Sequence, residues 1–243
     1  MLRRGEGESL SDEREYLLKA ALPELSLLES VFPSGEAVAP HVHERHADSF
    51  YVLEGELEFR IVEETIRLPA GSFVCAPPGV VHSFAVDSPD GARWLNMHAP
   101  DGGFAESRRA RRDGRQPAVQ LDVSAPPADG GRPASSATVR LPGEGEGLAT
   151  ERALLKVARP ELTLLEYEAE SGFETAQHHG DHHDAYYVLD GEVRVVVDDA
   201  PVAADTGTFV LVPPRAVRSW TNGGTGAARL LNIRVPATMP RAG

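Results

Sequence analysis

An internal repeat constrains the fold of this 243-residue chain more than any other feature of its sequence. GEGESL at 5–10 returns as GEGEGL at 143–148, and PELSLLE at 23–29 returns as PELTLLE at 160–166. Three further pairs follow in the same order: SFYVLEGELEF at 49–59 with AYYVLDGEVRV at 185–195, GSFVCAPPG at 71–79 with GTFVLVPPR at 207–215, and ARWLNMHAP at 92–100 with ARLLNIRVP at 228–236. Because similarity at a fixed spacing marks repeated structural units, the sequence predicts two domains of one fold.

The stretch between the copies differs from both of them in composition. Residues 107–137 are rich in Arg, Pro, Gly, Ala and Ser and have no periodic apolar pattern, which is typical of a linker. We therefore predict an N-terminal domain over 1–106, a flexible linker over 107–137 and a C-terminal domain over 138–243.

Within each copy the apolar residues alternate with polar ones, as half-buried strands require. Leu57, Phe59 and Ile61 alternate with charged residues, and the second copy has the same pattern near 193–197. Short strand patterns separated by Gly and Pro turns indicate an antiparallel sandwich or barrel. The fold class is therefore all-β, with two small barrels, and the one helix that we expect lies near residues 11–20.

Charge and cysteine content limit the function classes. The net charge of -13 argues against nucleic acid as a partner, because such partners require a basic face. Cys75 is the single cysteine, so a metal site must use histidine and carboxylate ligands. The sequence has no signal-like or bilayer-length apolar run. We expect a cytoplasmic protein with a small-molecule partner and no membrane contact, and a homodimer remains possible.

The first copy contains two motifs that can form a metal site. Gly35 to Gly55 reads G-x5-H-x-H-x4-D-x6-G, and Gly71 to His82 reads G-x5-P-x-G-x2-H. Residues i and i+2 of a strand face the same side, so His41 and His43 can take neighbouring positions on one ion, with Asp48 across the following turn and His82 on a separate strand. This donor set suits a divalent Fe, Mn, Ni, Cu, Co or Zn ion.

These two motifs resemble the paired motifs of the cupin superfamily, and the resemblance extends over both halves of the chain. It implies two cupin-type jelly-roll barrels, a bicupin, with His41, His43 and His82 as metal ligands. The family usually has Glu where this chain has Asp48, and Asp is one methylene shorter. Direct ligation, ligation through water and a three-histidine site all remain open for Asp48.

The second copy lacks part of this ligand set. Arg218 stands where the first copy has His82, and a guanidinium cannot donate a lone pair to a metal. One residue is missing between Gly172 and Gly191 relative to the first copy. Either His178 keeps its place and Gly180 replaces the second histidine, or Gln177 and His179 occupy the pair.

The segment HHGDHHD at 178–184 is the densest cluster of potential ligands in the chain. With no histidine at position 218 to complete a site, we interpret it as a polar, partly solvated loop rather than as a metal centre. His46 and its counterpart His182 are likewise interpreted as loop residues.

The resemblance implies a metal-dependent enzyme. We expect a dioxygenase that is similar to quercetinase-like cupins and acts on a small aromatic or polyketide-like substrate in the N-terminal barrel. In that scheme Asp48 is the catalytic base or orienting carboxylate, and Phe50, Phe84 and Trp94 line the substrate pocket. Two alternatives are a metal-dependent isomerase or cyclase that consumes no oxygen, and a bicupin that only binds small molecules.

Overall fold

The computed structural model describes residues 1–10, 15–149 and 152–237. The chain divides into two compact units. The first unit is Gly7–Gly143, and the second unit combines Met1–Glu6 with Glu144–Gly243. The six N-terminal residues thus belong to the unit that the second copy of the repeat builds.

The first unit is built from eleven strands and one α-helix among the described residues. The strands are β1 (Glu8–Ser9), β2 (Glu15–Leu22), β3 (Leu25–Phe32), β4 (Ala37–His41), β5 (Ala47–Glu54), β6 (Glu56–Ile61), β7 (Glu64–Pro69), β8 (Phe73–Ala76), β9 (His82–Ala85), β10 (Ala92–Ala99) and β11 (Thr138–Arg140). The helix α1 spans Phe104–Arg112, and a 3₁₀ turn spans Ala134–Ser136.

Two antiparallel sheets form the jelly roll of the first unit. One has the order β1-β2-β3-β10-β5-β8-β11 and the other has the order β4-β9-β6-β7. Inward-facing side chains of both sheets form one core, with Phe50 from β5, Phe59 from β6 and Phe84 from β9 in mutual ring contact. The alternation of the strands places these apolar residues on the inner faces.

The second unit repeats this arrangement with fewer strands among its described residues. They are β12 (Glu146–Leu148), β13 (Ala153–Ala158), β14 (Thr163–Ala169), β15 (His183–Asp190), β16 (Glu192–Val197), β17 (Ala200–Asp205), β18 (Phe209–Val212), β19 (Arg218–Thr221) and β20 (Ala228–Val235). The sheet orders are β12-β13-β14-β20-β15-β18 and β17-β16-β19. The core lies around Trp220, which contacts Tyr167 and Phe173.

The helix that the sequence predicted near residues 11–20 is wrong where it can be checked. Residues 11–14 lie outside the described part of the chain, and residues 15–20 belong to strand β2. Tyr16, Leu18 and Ala20 are buried at alternate positions and pair with β3. The helix-forming run LLKAA therefore yields to the burial of one strand face, because tertiary packing outweighs intrinsic propensity.

The predicted linker over 107–137 is structured and belongs to the first unit. Most of α1 falls inside this range, and the helix buries its own Ala105 and Ala110. Arg109 is paired with Glu8, and the guanidinium of Arg108 lies 4.8 Å from the ring centre of Tyr16. The division of the chain falls at Gly143, after β11 has paired with β8, rather than at residue 137.

The prediction of an all-β chain with two jelly-roll domains is confirmed by these sheets. Among the described residues, no helix is long and apolar enough to span a membrane.

Candidate metal centre

The four predicted ligands of the first unit come together from three strands and a loop. His41 ends β4, His43 lies in the loop after it, Asp48 lies in β5 and His82 begins β9. His41 pairs directly with His82 across the sheet. Ligand atoms of all four side chains lie within 4.8 Å of one another. The first motif supplies His41, His43 and Asp48, and the second supplies His82. The pairing of β4 with β9 brings the two motifs together.

Asp48 lies at the centre of this group. Its Oδ2 is 3.2 Å from Nε2 of His82 and 3.4 Å from Nε2 of His43, while its Oδ1 accepts a hydrogen bond from Nδ2 of Asn96 at 2.6 Å. Nε2 of His98 is 3.4 Å from Oδ1. The shorter side chain thus reaches the same point as the histidines, and its carboxylate lies within reach of any ion that they could hold.

Backbone carbonyls orient all three histidines in the same way. Nδ1 of His41 is 2.9 Å from the carbonyl of Ala39, and Nδ1 of His82 is 3.0 Å from that of Val80. Nδ1 of His43 is 2.5 Å from the carbonyl of Asp122. A carbonyl accepts, so each Nδ1 carries the proton and each Nε2 is left with its lone pair. Such contacts are typical of metal-binding histidines.

The charge and burial of the side chains in this group are suited to a bound cation. Nε2 of His43 is buried and has no hydrogen-bond partner among the described residues. Burial acts to raise the pKa of Asp48, but the facing imidazoles of His98, His43 and His82 hold it well below its usual range. Burial, with His82 nearby, lowers the pKa of His41 to about 4. Three imidazoles around an ionised carboxylate fit a divalent transition metal.

Three further residues of the site were not predicted as such from the sequence. His46 lies in the loop before β5, as predicted, but it is buried, and its Nδ1 is 2.7 Å from Oδ2 of Asp122. Asp122 itself lies in the predicted linker. His98 is fully enclosed, and burial lowers its pKa to about 3. The alternation that groups His98 with Trp94 and Asn96 on one face of β10 was the available signal for His98.

A cavity of about 470 Å³ adjoins the histidines. The predicted pocket residues Phe50, Phe84 and Trp94 all line it. Further lining comes from Tyr16, Phe32, Val38, Phe104, Arg108, Leu121 and Val123. The walls are thus mostly aromatic and aliphatic, with His41, His43 and Asp48 at one side, which is the composition of a small-molecule site.

The structure resolves the alignment of HHGDHHD. His178 pairs with Arg218 across the sheet, as His41 pairs with His82. The amide of Arg215 donates to the carbonyl of Gly180, as that of Gly79 donates to the carbonyl of His43. His178 therefore keeps its place, and Gly180 stands where the first unit has His43.

Arg218 occupies the position of the missing histidine, and its guanidinium is itself a cation. Its guanidinium is fully buried, forms an ion pair with Asp184 and donates to Nε2 of His182 at 2.8 Å. Burial would raise the pKa of Asp184, yet the nearby imidazole of His182 and the charge of Arg218 lower it to about 2. Among the described residues, no group suited to a metal includes any residue of HHGDHHD.

Comparisons with known proteins agree with this geometry. The chain is 31% identical over 93 residues to quercetin 2,3-dioxygenase of Bacillus subtilis (strain 168). That match covers 36% of this chain and 28% of the relative, so the chain matches less than a third of the relative's length.

Solved structures share the fold over almost the whole chain. AerE from Microcystis aeruginosa gives a TM-score of 0.67 at 14% identity, with 96% of this chain and 97% of that chain covered. A variant of oxalate decarboxylase from Bacillus subtilis gives 0.64 at 16% identity, with 98% and 78% covered. At these identities the likeness shows the fold alone.

The family described as Cupin domain matches residues 28–98 and again residues 163–234. Each match falls within one of the two units. The two matches together cover more than half of the chain, which therefore belongs to the cupin family and is a bicupin.

Proposed function

We propose that this bicupin is a metal-dependent dioxygenase whose first unit acts on a small aromatic or polyketide-like molecule. The convergence of three Nε2 lone pairs and one carboxylate beside an apolar cavity carries the proposal. The partial likeness to a quercetin dioxygenase supports the reaction class. His41, His43 and His82 would hold the metal, with Asp48 as fourth ligand or as the neighbouring carboxylate.

When bound, such a metal would supply a Lewis acid that lowers the pKa of a phenolic or enolic hydroxyl of the substrate. The residues of the chain supply the remaining functions. Phe50, Phe84 and Trp94 offer apolar surface to an aromatic ring and exclude water from the reacting atoms. The hydrogen bond from Asn96 fixes the orientation of Asp48.

Asp48 is the acceptor for the substrate hydroxyl proton in this proposal. Its lowered pKa makes it a weak base, so the proton moves only to the extent that the pKa of the substrate is lowered as well. The Oδ2 atom faces His43 and His82, so the accepted proton stays beside the metal ligands.

Metal content measured by elemental mass spectrometry on untagged protein tests the site. We expect about one transition-metal ion per chain, the stoichiometry of a single such site, and its loss in His82→Ala. The matched control is His182→Ala, a histidine of HHGDHHD, which should leave the metal content unchanged. Loss of the metal in His182→Ala with retention in His82→Ala would place the site in the second unit and contradict the proposal.

Oxygen consumption with quercetin and simpler phenols tests the reaction. Metal-dependent uptake of O2 that is absent in His82→Ala supports a dioxygenase. Substrate turnover without O2 uptake and with Zn²⁺ would support the isomerase or cyclase alternative. Tight metal binding with ligand binding but no turnover of any substrate would support the non-enzymatic alternative.

A further inference from the structure

A short segment between α1 and β11 lies against the loop that carries His43. We call residues 120–125 the crossing segment. Val42 and Ser124 exchange two backbone hydrogen bonds of 3.0 and 2.9 Å, and the amide of Asp122 donates to the carbonyl of Gly102. Leu121, Val123 and Ser124 line the cavity. The segment is therefore fixed from both sides and forms part of the cavity wall.

The carboxylate of Asp122 caps the turn between His43 and Asp48. Its Oδ1 accepts from the amide of Glu44 at 3.1 Å, and its Oδ2 accepts from the amide of Arg45 at 2.8 Å and lies 2.7 Å from Nδ1 of His46. His43, His46 and Asp122 are close enough to share an ion. Three donors already occupy this carboxylate, so its contacts are those of a turn cap.

The backbone of the same residue holds the metal-facing histidine. The carbonyl of Asp122 accepts from Nδ1 of His43. Substitution of the side chain leaves this carbonyl in the chain, but removes the cap that, together with the backbone hydrogen bonds of Asp122 and Ser124, fixes its position against the His43 loop. Asp122 therefore connects the turn and the orientation of the His43 ring.

The neighbouring glycine shows how closely this arrangement is packed. A Cβ on Gly102 would lie 2.3 Å from the imidazole of His46. His46 fills that space, 4.1 Å from the ring centre of His43. In the second unit His182, at the position of His46, instead accepts from Arg218. The imidazole at this position thus contacts a carboxylate in the first unit and a guanidinium in the second.

We propose that Asp122 is a positioning residue for the metal centre, which acts on the bound ion through the orientation of His43. The inference rests on the proposed metal binding in the first unit. Loss of a residue that orients a metal-binding histidine typically weakens metal affinity about 10–100-fold. Since the segment that carries Asp122 also lines the cavity, it connects the metal centre to the substrate wall.

Titration of the metal-free protein with Co²⁺, followed by its visible absorption, tests the inference without any substrate. We expect Asp122→Ala to raise the Kd for Co²⁺ at least about 10-fold and to change the Co²⁺ spectrum. Asp122→Asn keeps a side-chain oxygen that can accept from the turn amides, so its Kd for Co²⁺ should lie between those of the wild type and Asp122→Ala. It also serves as the test if Asp122→Ala does not fold.

Glu106→Ala is the matched control. Glu106 also accepts from a backbone amide, that of Ala118, and pairs with Arg115, but it does not contact His43. We expect an unchanged Kd and spectrum for this variant. Folded Asp122→Ala and Asp122→Asn with the wild-type Kd and spectrum would overturn the inference and leave the metal site in place. Failure of the wild type to bind Co²⁺ would instead refute the proposed function.

Discussion

The two units surround equivalent buried aspartates with different side chains. In the first unit Asp48 faces three histidines, and ligand atoms of the four side chains lie within 4.8 Å of one another. In the second unit Asp184 faces the buried guanidinium of Arg218. Asn96 and Asn232 donate to these two aspartates at 2.6 and 2.7 Å. One scaffold thus holds a buried carboxylate twice, with three histidines around it in the first unit and a buried guanidinium against it in the second.

An arginine at position 82, as at position 218, should remove the difference in metal binding between the two units. In His82→Arg the guanidinium takes the place of the ligand and pairs with Asp48, as Arg218 pairs with Asp184. We expect metal content to fall below about a tenth of an equivalent, because an arginine cannot donate a lone pair. Elemental mass spectrometry measures the loss, and circular dichroism checks the fold. A variant with full metal content would show that His82 is not a ligand.

Removing the aspartate of the second unit should destabilise it strongly. Asp184→Asn leaves the buried Arg218 without its carboxylate, which typically costs about 3–5 kcal/mol. Trp220 lies in the core of this unit, so its fluorescence in a Trp94→Phe background follows urea unfolding there. Asp181→Asn is the control, since Asp181 pairs with Arg215 in solvent and exposed pairs contribute little. Equal midpoints for the two variants would contradict the prediction.

Acid should destabilise the metal-free first unit at a higher pH than the second. Burial lowers the pKa of His41 and His46 from 6.5 to about 4 and that of His98 to about 3. As the pH falls from 6.5 towards 4, the unfolded chain binds protons that the folded chain does not. Each histidine then removes up to about 1.4 kcal/mol of stability per pH unit.

Some groups modify this expectation. Burial acts to lower the pKa of His43, but the carboxylate of Asp48 outweighs burial and raises this pKa. The stability that His43 contributes to the folded unit is therefore present at low pH and is lost as the pH rises through the raised pKa. In the second unit burial lowers the pKa of His178, while Asp184 stays ionised to about pH 2. Single-tryptophan variants that retain Trp94 or Trp220 follow the units separately after chelation. Coincident acid transitions would contradict the prediction.

The smallest expected effect concerns the cavity wall. Phe84→Leu removes part of the aromatic surface beside the metal centre and should raise KM about 10-fold with a smaller change in kcat. Phe73→Leu is the control, because Phe73 is also a buried phenylalanine of the first unit but does not line the cavity. Steady-state kinetics on an aromatic substrate compare the two. An equal rise of KM in both variants would indicate a general loss of packing.

Much of the fold and the core of the site could be predicted from local patterns. Strand alternation and the spacing of the two motifs identified His41, His43, Asp48 and His82, and the structure brings all four together. The same motifs identified Arg218 as the residue that breaks the second site. Such signals succeed because side-chain direction along a strand repeats every two residues.

Other parts of the site could not be predicted in this way. Asp122 contacts His43 and His46 across 79 and 76 residues of sequence, and nothing in the local composition of residues 107–137 distinguishes it from a linker residue. The strand β2 resembles a helix former until β3 is present to pair with it. The alignment of HHGDHHD likewise required the pairing of His178 with Arg218.

The sequence by itself determined the repeat, the all-β fold class and the difference between the two candidate sites. Those features depend on residue type and on spacing along single strands. Only the tertiary structure decided that residues 107–137 form part of the first unit, that His46 and His98 are buried beside the metal ligands, and that Asp122 holds His43. These features depend on contacts between segments far apart in the chain, and burial, which shifts the pKa of each group, exists only once those segments have packed together.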